Sequence, residues 1–271
     1  MKKAVFLGLS FIFINTTFAM CSWSGLWSYP TKNTIKANSW IILEGYGASQ
    51  DIIDSLNKGY EVYLESDGEK IPLNVRYSNK GGFRLTQSVL TPSKKLVVGK
   101  TYYLKVNNTG KNEQSPLKRW NTKLKKYEPV SWRITKGMDT ASPTFLKQPK
   151  MINTRTVHYG CGPAVYAMFN VPVMGQSEVH IKTQLVSIEN KDTTTYFLNF
   201  SKPDTIEVGH GMCSGAFNFE RKKTYKIRFM LFSASGNSDN KWSNWVLFNS
   251  PFVYIALSIT ILLLERYERH V

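Results

Sequence analysis

Residues 225–249, YKIRFMLFSASGNSDNKWSNWVLFN, constrain the fold more than any other stretch. Tyr225, Ile227, Phe229 and Leu231 alternate with Lys226, Arg228, Met230 and Phe232. Side chains alternating with period two put one face of a strand into a core. Residues 233–241 form a polar cluster built on Gly236-Asn237, a pair suited to a tight reversal, and Trp245 to Phe248 is the returning strand. A chain committed to such a hairpin needs further strands to cover its apolar face.

Upstream residues supply them. The apolar run Trp40-Ile-Ile-Leu43 suits a core strand. Residues 60–64 and 71–77 read as a hairpin around Asp67-Gly68, and Gly81-Gly82 breaks the chain before a strand at 83–89. Strands at 96–98, 102–106 and 130–135 complete the series, with one helical turn expected at 52–57. Seven short strands at this spacing predict a β-sandwich. After Gly137 a second series begins, with strands at 144–146, 164–169, 178–188, 195–200, 205–208 and 217–219 ahead of the closing hairpin. Aromatic residues make up 13% of the 271, in keeping with an all-β chain.

Asp139-Thr-Ala-Ser-Pro143 opening a domain, Tyr225-Lys-Ile-Arg-Phe229, and Gly236-Asn237 ahead of Trp245 together resemble the bacterial Ig-like and fibronectin-III-like modules of exported proteins. Leu96-Val-Val-Gly-Lys-Thr-Tyr-Tyr-Leu104 is similar to the entry of their penultimate strand. The chain departs from antibody domains in lacking their strand-C Trp and Cys pair in the usual places. The resemblance implies an all-β chain of two tandem Ig-like sandwiches, 22–136 and 144–250, joined by a linker at 137–143. It implies little about function, because such folds carry many.

The two ends read as addresses. Residues 1–19 have Lys2 and Lys3, an apolar run from Ala4 to Ile14 and Thr17-Phe-Ala19, the pattern of a secretory signal peptide. Residues 251–271 begin with Pro251 and hold no charge from Phe252 to Leu264; they read as a hydrophobic, membrane-anchoring helix with a short charged tail. The expected protein is exported and membrane-anchored, with both domains on the periplasmic or cell-surface side of a bacterium.

In an oxidising compartment Cys161 and Cys213, each near strand ends of the second domain, are expected to form a disulfide, leaving Cys21 over. A second reading stays open. His158-Tyr-Gly-Cys161 and His210-Gly-Met-Cys213 are two copies of His-x-x-Cys, which offers two nitrogens and two thiolates to copper or zinc in a periplasmic metal-binding protein.

The formal charge is +16, from 35 Lys and Arg against 19 Asp and Glu. Such a field favours anionic partners. One basic stretch is 107–127, read as a loop, where Lys118, Arg119, Lys123, Lys125 and Lys126 surround Trp120 and form a candidate polyanion contact. No specific nucleic acid is expected. Gly-x-Ser-x-Gly, His-Glu-x-x-His, P-loop and dinucleotide fingerprints are missing, and nothing ties Glu44, Glu61, Glu65 and Asp67 to a nucleophile. The sequence therefore predicts a non-enzymatic interaction or structural protein without a cofactor, whose partner is an unidentified protein or a polyanion.

Overall fold

A computed structural model describes Cys21 and residues 24–109, 117–174 and 178–252. The expected signal peptide lies outside the described residues, and so does the expected C-terminal helix beyond Phe252. Among the described residues no helix is long and apolar enough to cross a membrane.

The first half contains β1 (Gly25–Tyr29), β2 (Thr34–Lys36), β3 (Ile41–Tyr46), the short helix α1 (Gln50–Asp54), β4 (Val62–Ser66), β5 (Glu69–Lys80) and β6 (Leu85–Pro92). It continues with β7 (Thr101–Val106), the pair β8 (Lys118–Asn121) and β9 (Lys126–Pro129), and β10 (Ser131–Thr135). The main strands run in the order β1-β3-β6-β5-β4-β7-β10-β2. Every pairing is antiparallel except β10 with β2. Long β5 is the pivot: residues 69–72 pair with β4, residues 73–80 pair with β6, and the register shifts between Val75 and Tyr77. A bulge bends a strand and increases its twist. The sheet thus folds over, and Leu26, Leu43 and Leu90 from one wing share a core with Leu64, Tyr102 and Trp132 from the other. At the β4–β5 turn Asp67 and Gly68 both have positive φ, 50° and 78°, the geometry that an Asp-Gly pair favours.

The second half comprises β11 (Thr144–Phe145), β12 (Lys150–Tyr159), β13 (Gly162–Asn170), β14 (Val173–Met174), β15 (Val179–Ser187), β16 (Thr193–Leu198), β17 (Thr205–His210), β18 (Thr224–Ser233) and β19 (Val246–Asn249). Sheets β12-β13-β17 and β16-β15-β18-β19 enclose Phe169, Val208, Phe217, Ile227 and Phe229. The closing hairpin is present, with Tyr225 opposite Phe248. Its connection is stiffened by Arg228, whose guanidinium lies 4.4 Å from the ring centre of Trp242 and 4.5 Å from that of Trp245 while Nε donates to Gln184 Oε1 at 2.8 Å.

Three expectations are corrected. Residues 96–98 and 217–219 are not strands; Leu96, Phe217 and Phe219 are buried anchors in irregular chain. Ten-residue β12 was not foreseen, because its side chains are mostly exposed and give no alternation. The basic stretch expected as a loop contains the β8–β9 hairpin.

The two cores meet across a third. Every residue of β3 is buried: Ile41 and Leu43 face the first core, while Trp40, Ile42 and Val89 pack against Phe197, Met230 and Phe232 of the second half. This explains the unbroken apolar run at 40–43, since a strand covered on both faces does not alternate. Gln87 behaves as an inserted strand partner. Its Oε1 accepts Phe197 N–H at 3.1 Å and its Nε2 donates to Phe197 O at 3.0 Å. The same Nε2 donates to buried Glu44 Oε1 at 3.0 Å. Desolvation raises the Glu44 pKa to about 7, against hydrogen bonding that favours the ionised form. Tyr29 and Tyr196 face this carboxyl and are themselves raised, although Tyr196 Oη closes no hydrogen bond of standard geometry.

Backbone pairing extends the joint, with Phe83 N–H donating to Gly215 O at 3.1 Å and Gly215 N–H to Phe83 O at 2.8 Å. The seam residue Asp139 is held from both sides. Its carbonyl accepts from Asn38 Nδ2 at 2.9 Å, Ser235 Oγ at 2.7 Å and Asn237 Nδ2 at 2.8 Å.

Candidate polyanion site

The structure brings Trp120 and the five cations singled out around it onto one hairpin, but in different roles. Pairing of Trp120 with Tyr127 and of Arg119 with Glu128 sets the faces. Arg119 turns back onto the body of the protein. Its Nη2 donates to Pro30 O at 2.8 Å, and its Nη1 to Thr31 O at 2.9 Å and Asn33 Oδ1 at 3.3 Å. The guanidinium also lies 5.6 Å from the ring centre of buried Trp132, whose Nε1 donates to the same Pro30 O at 3.0 Å. Burial lowers the Arg119 pKa. Arg119 is therefore a clamp that fixes the hairpin, not a free contact.

The outer face is different in character. Trp120 is 49% exposed, Tyr127 66% and Leu124 57%, and the two rings meet edge-on at 5.1 Å. The two rings touch, so the exposed apolar surface here is continuous rather than scattered. Lys118 shares this face and Lys123 and Lys125 stand in the turn, while Lys126 alternates onto the face of Glu128. Lys126 pairs with Glu128 at 3.4 Å; among the described residues no other carboxylate lies within 4.0 Å of these amines. Asn121 Oδ1 accepts the N–H groups of Lys123 and Leu124 at 3.0 and 3.1 Å, which orders the turn.

Between the hairpin and strand β10 lies a cleft of about 550 Å³. Trp120, Lys123, Arg133, Asn33, Ser131 and Glu128 are on its walls. Arg133 and Glu128 were not singled out from the sequence. The only hint was that alternating β10 sends Arg133 away from the core that takes Trp132 and Ile134.

The cysteine and metal expectations are corrected here. Cys213 is bonded to Cys21, with Cα atoms 5.6 Å apart, and Cys161 is a free, half-buried thiol. Strand β17 ends at His210, so Cys213 lies in the turn beyond the β13–β17 ladder and is not paired with Cys161. Bonded to Cys213 of the second half, Cys21 is also held by the first, where Arg84 Nη1 donates to its carbonyl oxygen at 2.8 Å. His158 and His210 lie on β12 and β17, separated by β13 and hence by roughly 10 Å. Metal ligands must converge to within ~2.0–2.3 Å of one ion. Cys213 is spent in the disulfide, and His210 Nδ1 engages Gly211 O at 2.8 Å with its ring on Phe83. Among the described residues no three of His, Cys, Asp and Glu gather as a metal group. The small acidic set is dispersed: Glu44 is buried at the joint, Glu65 meets Lys105 at 3.8 Å and Asp67 meets Lys100 at 3.2 Å.

Fold and site together define an all-β protein of two joined cores that presents a basic, aromatic hairpin. No protein-family model matches the chain, and no curated protein matches it. Among solved structures, a pullulanase from Anoxybacillus sp. LM18-11 is 11% identical at a TM-score of 0.23, covering 79% of this chain and 24% of its own. A cytokine receptor complex is 9% identical at 0.25, covering 84% of this chain and 97% of its own. The Yersinia pseudotuberculosis adhesin InvE is 13% identical at 0.22, covering 86% and 59%. The chain spans about a quarter of the pullulanase. Likenesses at this level assign neither family nor activity.

Proposed function

We propose that the protein is an exported, membrane-anchored, non-enzymatic interaction protein of two Ig-like sandwiches that holds polyanionic partners on the β8–β9 hairpin. The observation that carries the reading is the division of labour on that hairpin. Arg119 spends its donors on the protein's own carbonyls, so the hairpin is fixed, while lysines and two half-exposed rings face outward. A fixed hairpin backbone leaves only the lysine side chains to be ordered on binding, which favours contact with a charged polymer. The signal-like N-terminus, the disulfide and the apolar C-terminal segment support export and anchoring. The test is retention of the full chain on immobilised heparin across a salt gradient, compared with a variant carrying Lys118→Gln, Lys123→Gln, Lys125→Gln and Lys126→Gln. The wild type should elute at distinctly higher salt. Identical elution would remove the hairpin from the contact.

A further inference from the structure

The cleft beside the hairpin narrows the partner, on the reading that the hairpin is a polyanion contact. We infer that it binds an acidic polysaccharide, one sugar ring stacking on Trp120 while Arg133 and Lys123 pair with its carboxylates.

Three features converge on this ligand. First, the cleft is concave and about 550 Å³, within the size range of small-ligand pockets, whereas a bilayer surface would be met by a convex or flat patch. Second, two of the three cations on its walls are free to act, the third, Arg119, being committed to the Pro30 and Thr31 carbonyls. Arg133 is exposed, and neither it nor Lys123 has a carboxylate within 4.0 Å among the described residues. Glu128, the one acidic side chain on the wall among the described residues, is already occupied by Asn121 Nδ2 at 2.7 Å and by Lys126. The bidentate fork of arginine matches a carboxylate. Third, the wall mixes one indole with small hydroxyl and amide side chains, Thr31, Asn33, Thr101 and Ser131. An indole face receives the apolar C–H face of a sugar ring, and hydroxyl and amide groups exchange hydrogen bonds with its hydroxyls. A ringless polyanion would use the cations and leave the rest idle. Single-stranded nucleic acid usually meets a succession of stacking rings, whereas among the described residues Trp120 has only the edge-on Tyr127 beside it.

The experiment measures affinity of the full chain by calorimetry for an oligomeric hexuronate, its neutral counterpart, inorganic polyphosphate of matched charge, a single-stranded oligonucleotide, and vesicles containing anionic lipid. The inference expects the hexuronate to bind tightest. Trp120→Ala should weaken it about tenfold while changing polyphosphate less than about twofold. Trp120→Phe should recover part of the loss, which a merely unfolded hairpin would not allow. If polyphosphate binds as well as hexuronate and Trp120→Ala changes neither, the glycan inference is overturned and the polyanion reading stands. Tighter binding of oligonucleotide or of vesicles overturns it in favour of that class. Binding to none of them overturns both readings.

Discussion

The indole of Trp40, from the first half of the chain, lies directly on Gly236 of the second. A Cβ at position 236 would overlap the ring, and the residue also sits at φ +85°, where side chains are strained. Trp40 N–H donates to Ala234 O at 2.7 Å in the same contact. The two sandwiches are thus locked by a turn whose sequence, Gly-Asn, was itself readable, and by a partner that was not.

Gly236→Ala should therefore cost more than a turn substitution alone. Overlap with a packed ring and an unfavourable φ together predict a loss of ~2–4 kcal/mol. Gly68→Ala is the comparison, since it shares the positive φ but has open space around it, and should cost ~1 kcal/mol. Equal losses in denaturant titrations would show that the Trp40 contact contributes nothing.

Glu44 makes the joint sensitive to pH. Its carboxyl holds a proton up to about pH 7 in the folded chain, while in the unfolded chain it loses it near 4.5. A raised acid pKa stabilises the fold at low pH, and that stabilisation is lost as pH rises from about 4.5 through about 7. The difference corresponds to ~3 kcal/mol. Glu44→Gln keeps an acceptor for Gln87 and cannot ionise. It should flatten this part of the stability profile and be more stable than wild type at pH 8; an unchanged slope would place the titration elsewhere.

Peptide mapping without reduction should recover Cys21 linked to Cys213 and Cys161 as the alkylated thiol. The bridge spans 192 residues, so Cys21→Ser should lower stability, by up to ~5 kcal/mol in the chain-entropy model. A Cys161–Cys213 peptide would contradict the structure.

Arg119→Lys should loosen the hairpin. A lysine cannot satisfy the Pro30 and Thr31 carbonyls and Asn33 at once, and the loss should be ~1–3 kcal/mol. Faster amide exchange confined to 118–129 would be the signature; unchanged exchange would deny Arg119 its clamping role.

What could be read in advance follows from where the signals lie along the chain. Alternation in β18, the Asp67-Gly68 turn and the apolar run of β3 are local, and each marked a real element. β12 was invisible because it is an exposed edge strand whose order comes from pairing with β13. The joint was invisible because Gln87 meets Phe197 and Trp40 meets Gly236 across more than a hundred residues. The same distance hid the true partner of Cys213. Residues 137–143 read as a linker, and nothing local reveals that Asp139 within it is pinned by Asn38, Ser235 and Asn237. Of the candidate site, the cluster of lysines around Trp120 was legible as composition. Its separation into a clamp and an outward face required the register of β8 with β9.

The central claim is that polyanions are held on the β8–β9 hairpin. Hydrogen exchange of the full chain with and without saturating heparin tests it most directly. The account predicts slowed exchange at 118–129 and in the 30–33 segment that Arg119 grips, with the second core unaffected. Protection confined to the second half of the chain, or none at saturation, would contradict it.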